Sequence, residues 1–199
     1  MVFCVGLTGS IASGKTTVSS MFSTLGIQTI SADLISRQLS LKNGLAYNDI
    51  VTHFGQNIIQ ADGELNRRQL RDLIFSNPNE RVWLEDLLHP LIRQELKAQA
   101  LLTTTPYCLL EIPLLIDKSD YPYLDRILLV TSPELVQIKR VMDRDHSSEE
   151  QAKAILSAQP DNTARLNNAD DVLVNDEDIQ QLVINVELLH QKYLGQAKK

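Results

Sequence analysis

The stretch GLTGSIASGKTT, residues 6–17, decides the reading of this 199-residue chain. From Gly9 to Thr16 it matches the pattern G-x-x-x-x-G-K-[ST], which holds phosphate only when it sits between a strand and a helix. The flanks supply that setting. Residues 2–7, VFCVGL, are apolar on both faces, as in a buried parallel strand. A helix is expected from near Gly14 to about Leu25, with Val18, Met21, Phe22 and Leu25 on one face and Gly26 ending it. Glycines let successive backbone N–H groups turn toward a phosphate, and the helix N-terminus adds partial positive charge. Lys15 can bridge β- and γ-phosphates, and the Thr16 hydroxyl can ligate Mg²⁺. The nucleotide is expected on Gly9, Ala12, Ser13, Gly14, Lys15, Thr16 and Thr17.

Further along, Ile27 to Ser31, YCLLEIP (107–113), RILLVTS (126–132) and Asp171 to Val174 read as strands. Residues 34–101 are mostly helical, broken by KNG at 42–44, ADG at 61–63 and NPNE at 77–80. Pro133 suits the start of a helix reaching about Asp145, a charged helix follows to about Gln159, and Ile179 to Leu194 forms a last one. Alternating strands and helices imply an α/β fold with a parallel sheet. The second and third strands are about 75 residues apart, too far for a simple crossover. A helical insert that shapes a substrate site is expected there. The charged segment around 138–160 has few large apolar residues and suits a mobile lid.

Composition narrows the classes. With 43% hydrophobic and 22% charged residues the chain is an ordinary globular one. No apolar run approaches the roughly 18 residues of a membrane span, and the start lacks a basic signal-peptide region. Cys4 and Cys108 lie in apolar runs and read as buried, reduced thiols, so a cytoplasmic protein is expected. A net charge of −6 without a long Lys/Arg run argues against nucleic acid as partner. A phosphorylated small molecule needs only a few cations aimed at one pocket.

No N-K-x-D guanine signature is present; Asn167-Asn-Ala-Asp170 lacks the lysine. The third strand carries Glu111 where a motor ATPase more often has Asp and a further Glu. A small-molecule kinase needs instead a carboxylate near the acceptor hydroxyl and cations that close over the phosphoryl group. Asp33, just after the second strand, can accept or orient a hydroxyl proton. Equally, it can serve as the N-cap of the helix that follows. Arg37, one turn on, can pair with Asp33 or touch a substrate phosphate. Arg140 and Arg144 share a helix face, either to hold an anion or as a solvated face beside Asp143 and Asp145. His89-Pro90 marks a helix kink or restart, its histidine structural or a donor to the acceptor. His53, His146 and His190 read as surface or packing residues, and Trp83 as core.

The loop, SAD (31–33), HPLI (89–92), EIPLLID (111–117), KRVMDRD (139–145) and ADDVLVND (169–176), in that order, resemble the dephospho-CoA kinase family over roughly residues 2–194. The resemblance implies a P-loop kinase core (1–32, 104–137 and 161–199), a helical acceptor domain (33–103) and a lid (138–160). It implies transfer of the γ-phosphoryl of ATP, with Mg²⁺, to the ribose 3′-hydroxyl of dephospho-CoA. Asp33, Lys15, Arg140 and Arg144 would then be catalytic, and Arg37, His89, Leu114 and Leu115 would meet the substrate with Asp33. The loop departs from the family's usual G-G-I-G-S-G-K, with Ser10 and Ala12 in place of two glycines. If position 12 needs a positive φ, alanine there costs on the order of 1 kcal/mol. SAD also replaces a commoner D-A-D, leaving the single carboxylate Asp33. Two rivals share parts of this reading: a nucleoside or nucleotide monophosphate kinase, and a nucleotide-binding regulatory module without transfer.

Overall fold

The computed structural model describes residues 2–115, 117–158, 162–176 and 178–198. Residues 159–161, where the expected lid ends, lie outside them. Five strands form one sheet: β1 (Phe3–Gly9), β2 (Gln28–Ser31), β3 (Tyr107–Glu111), β4 (Arg126–Thr131) and β5 (Asp171–Val174), in the order β2-β3-β1-β4-β5. β1 pairs in parallel with β3 and β4, and β4 with β5. The register sets Leu7 beside Glu111, Gly9 beside Val130 and Thr131 beside Val174. Several strand ends therefore meet at one carboxyl edge, where open α/β sheets bind ligands.

Among the described residues the helices are α1 (Lys15–Thr24), α2 (Ala32–Leu39), α3 (Tyr47–Phe54), α4 (Arg67–Ser76), α5 (Pro78–Leu101), α6 (Glu134–Asp145), α7 (Glu149–Ser157), α8 (Asn162–Asn168) and α9 (Ile179–Ala197). None is long and apolar enough to cross a membrane. Contacts divide the chain into two compact units, Met1–Ile30 with Gln99–Lys199, and Ser31–Ala98.

In the first unit, Val5, Leu7, Leu109, Leu128 and Val130 of the sheet are buried against Val18 and Phe22 of α1 and Leu182, Val186 and Tyr193 of α9. Phe22 stacks on Tyr193 at 6.3 Å and meets Tyr107 edge-on at 6.5 Å. Removing such a ring costs about 3–5 kcal/mol. Asp171 closes this core: Arg126 Nε donates to it at 2.8 Å, Tyr193 Oη at 3.1 Å, and the Lys192 ammonium also reaches it. Burial alone would raise the Asp171 pKa, but these partners outweigh it and hold the carboxyl below its usual value. Cys4 and Cys108 are buried register partners with sulfurs 3.7 Å apart, both free. A smaller cluster joins Ile138 and Val141 of α6, Ala152 of α7, and Ile11 and Ala12 of the loop after β1.

In the second unit, Ile35, Leu39, Ile50, Ile58, Leu65, Leu84 and Leu96 are buried. The helix does not restart at Pro90; α5 runs through it. The missing N–H removes one hydrogen bond, while Leu84, Ile92 and Leu96 stay buried on either side. Trp83 is only partly buried. It carries the His53 ring in a parallel stack at 3.6 Å, and His53 Nε2 lies 2.5 Å from Glu80 Oε2.

Candidate active site

The loop between β1 and α1 shows why its glycines are there. A Cβ on Gly9 would stand 2.5 Å from the Val130 carbonyl oxygen and 2.6 Å from Ser13 Oγ. Gly14, the N-cap of α1, has φ 90°. No side chain caps α1. Its first helical hydrogen bond closes only at Val18, whose N–H donates to Gly14 at 3.1 Å. The N–H groups of Lys15, Thr16 and Thr17 thus precede the first intrahelical bond, the arrangement that receives an anion at a helix N-terminus. Ala12 has φ 57°, so the condition set on position 12 is met and alanine sits there under strain.

Around this loop the strand ends deliver charge. Lys15 Nζ lies 2.5 Å from Glu111 Oε1 at the end of β3, each side chain 14% exposed. Thr16 and Thr17 are exposed on the first turn of α1, and Ser13 is buried. Beside the loop is a cavity of 360 Å³ lined by Ala12, Gly14, Thr17, Arg140, Arg144, Asn175, Ile179 and Leu182. That volume falls in the range of small-molecule sites. The two arginines that the sequence pairs behave differently. Arg140 Nη1 donates to the Ala12 carbonyl at 3.2 Å and to Ser132 Oγ at 3.3 Å, and Nη2 donates to Asn175 Oδ1 at 3.1 Å. Arg144 instead makes two 2.7 Å hydrogen bonds to Asp145 and is 56% exposed. Those bonds raise the Arg144 pKa and lower that of Asp145. The solvated-face reading thus fails for Arg140, while Arg144 adopts that arrangement.

Leu115 is buried, with Cδ2 2.9 Å from where a Cβ on Gly6 would be. Of the two leucines expected at the acceptor, only Leu114 is exposed, at 55%. In the second unit, Ser31 rather than Asp33 caps α2: Ser31 Oγ accepts from the Leu34 N–H at 3.4 Å. Asp33 and Arg37 stand exposed one turn apart on α2, and His89 is exposed on α5. Among the described residues no cluster of three or more His, Cys, Asp or Glu forms a metal cage. The loop's metal-compatible donors are oxygens, the Thr16 hydroxyl and the Glu111 carboxylate, of the hard type Mg²⁺ takes alongside phosphate.

Sequence reading missed two residues here. Asn175 and Ser132 follow β5 and β4, and both contact Arg140. Their signal was positional: polar residues just past buried strands lie at the ligand-binding edge of an open α/β sheet.

Known proteins resemble this chain along most of its length. The family profile for dephospho-CoA kinase matches residues 3–181. The dephospho-CoA kinase of Legionella pneumophila is 52% identical over 198 residues, covering 100% of this chain and 98% of its own. That of Vibrio cholerae is 48% identical over 200 residues, covering 100% and 99%. The structure of dephospho-CoA kinase from Campylobacter jejuni superimposes with a TM-score of 0.73 at 29% identity, over 96% of this chain and 97% of that one.

Proposed function

The chain belongs to the dephospho-CoA kinase family, and we propose that it transfers the γ-phosphoryl of ATP to the ribose 3′-hydroxyl of dephospho-CoA, giving coenzyme A and ADP. The observation that carries the donor half is the uncapped N-terminus of α1, with Gly14 at φ 90° and Lys15 at its first position. The triphosphate lies along residues 9–17, its oxygens taking the N–H groups of the first turn and the Lys15 ammonium in place of Glu111. The nucleoside occupies the 360 Å³ cavity, with Ile179 and Leu182 as its apolar wall. Mg²⁺ bound here would supply charge neutralisation on the phosphates. The Thr16 hydroxyl is the side chain to hold it.

In this reading the helical segment 33–103 holds the acceptor, and Asp33 accepts or orients the hydroxyl proton. Arg37, His89 and Leu114 face the acceptor. The segment 138–160 is the lid: Arg140, already bonded to the loop carbonyl of Ala12, and Arg144 meet the equatorial oxygens, and water that would otherwise take the phosphoryl group is excluded. The reaction needs no membrane or nucleic-acid partner. Replacing Lys15 tests the donor half: Lys15→Ala is expected to abolish CoA formation while circular dichroism stays that of the wild type. Retained turnover contradicts the role given to the loop.

A further inference from the structure

Asn175 follows β5 and is 6% exposed, with every polar group engaged. Its N–H donates to the Thr131 carbonyl at 2.8 Å, and its carbonyl accepts from Ser132 Oγ at 2.6 Å. These two bonds tie its backbone to the end of β4. Its carboxamide faces the other way: Nδ2 donates to the Ser13 carbonyl at 2.9 Å, while Oδ1 accepts from Arg140 Nη2 at 3.1 Å.

The chemistry of these neighbours leaves little choice of side chain. A carbonyl oxygen requires a donor and a guanidinium an acceptor, which also fixes the orientation of the amide. Asparagine supplies one of each at this length. Aspartate would turn an oxygen toward the Ser13 carbonyl, and an apolar residue would leave both neighbours unsatisfied. The fit is tight, because a Cβ on Gly14 would stand 2.0 Å from Asn175 Nδ2. The loop's last glycine is therefore required by Asn175 as well as by its own φ.

We propose that Asn175 is a positioning residue for the nucleoside triphosphate. Its carboxamide locks the loop carbonyl of Ser13 to the guanidinium of Arg140, so that the N–H donors of the first turn of α1 and this cation face the same phosphates. The inference rests on the donor site proposed above, but not on the identity of the acceptor.

Affinity for ATP·Mg²⁺, measured by calorimetry on the full-length protein, tests it without needing turnover. Asn175→Ala is expected to weaken ATP binding about tenfold, whereas the KM for dephospho-CoA stays within about twofold. Arg140→Ala and the double variant Arg140→Ala/Asn175→Ala complete a cycle. If Asn175 acts partly through Arg140, the double variant binds ATP much better than the product of the two single losses predicts. Asn175→Asp has the same shape and serves if the alanine variant does not fold. It is expected to weaken ATP binding at least fivefold, because the Ser13 carbonyl loses its donor. Unchanged ATP affinity in a folded variant, or losses that simply multiply in the double variant, overturns the proposal. A wild-type protein that binds ATP but phosphorylates no dephospho-CoA contradicts the proposed reaction instead, and the ATP affinities still decide the role of Asn175.

Discussion

Lys15 Nζ and Glu111 Oε1 form a 2.5 Å ion pair, each side chain 14% exposed. The pair joins the first residue of α1 to the last of β3. It neutralises the Lys15 ammonium, so in the proposed reaction an incoming triphosphate must take Lys15 away from the carboxylate. Between partly buried charges that competition is stronger than in water. Replacing the carboxylate isosterically is therefore expected to tighten binding of metal-free ATP. Glu111→Gln should lower its Kd about fivefold in calorimetry with a chelator present, the scale of a ~1 kcal/mol change. An unchanged or weaker affinity contradicts this role for the pair.

Ser31, not Asp33, caps α2, so the alternative structural duty open to Asp33 in the sequence is already filled. Asp33→Asn should lower kcat by on the order of 10²-fold, the scale of lost general-base help, and leave the thermal midpoint where it was. Ser31→Ala should do the opposite, costing about 1 kcal/mol of stability with kcat largely retained. Wild-type turnover in Asp33→Asn removes the base assignment.

Ala12 holds φ 57°, in the left-handed region that favours glycine. Ala12→Gly releases about 1 kcal/mol of left-handed strain, which for a chain of this size raises the melting temperature by about 2–4 °C. Greater backbone freedom in the unfolded chain works against that gain. A melting temperature that falls by several degrees shows that the contacts of the alanine methyl with the α6–α7 cluster outweigh the strain.

These residues also show where the sequence was legible. The P-loop and the buried strands were readable because their constraints are local: spacing, apolar runs and glycines. The breaks at 42–44 and 61–63 likewise separate helices, whereas at 77–80 only Asn77 does, because α5 already begins at Pro78. At Pro90 the helix runs on rather than restarting, since burial of the residues around it overrides the local preference for a break. Arg140 and Arg144 looked equivalent on a helical wheel. Contacts distant in sequence distinguish them: Ala12, Ser132 and Asn175 hold Arg140, while Arg144 pairs with its neighbour Asp145. The same holds for Leu114 and Leu115, adjacent in sequence and opposite in burial.

Asp171 ties β5 to Arg126 of β4 and to Lys192 and Tyr193 of α9. Its folded-state pKa is held below the usual 3.8. The stability it contributes is thus present above its unfolded pKa and is lost as pH falls through the lower folded value. Asp171→Asn should cost about 3 kcal/mol at pH 7, since Arg126 loses a buried partner. The gap between variant and wild type should narrow below about pH 4, where the carboxylate of the unfolded wild-type chain takes up a proton, and at lower pH the folded one does too. Urea melts across that pH range check both statements, and a gap that widens in acid contradicts the sign.

The most direct test of the proposed reaction is ADP release from ATP·Mg²⁺ with dephospho-CoA, CoA, AMP or adenosine as acceptor. CoA differs from dephospho-CoA only by the 3′-phosphate that the reaction installs. The proposed reaction gives ADP release with dephospho-CoA and none above background with the other three. Release with AMP or adenosine in its place, or a rate indifferent to the acceptor, contradicts it.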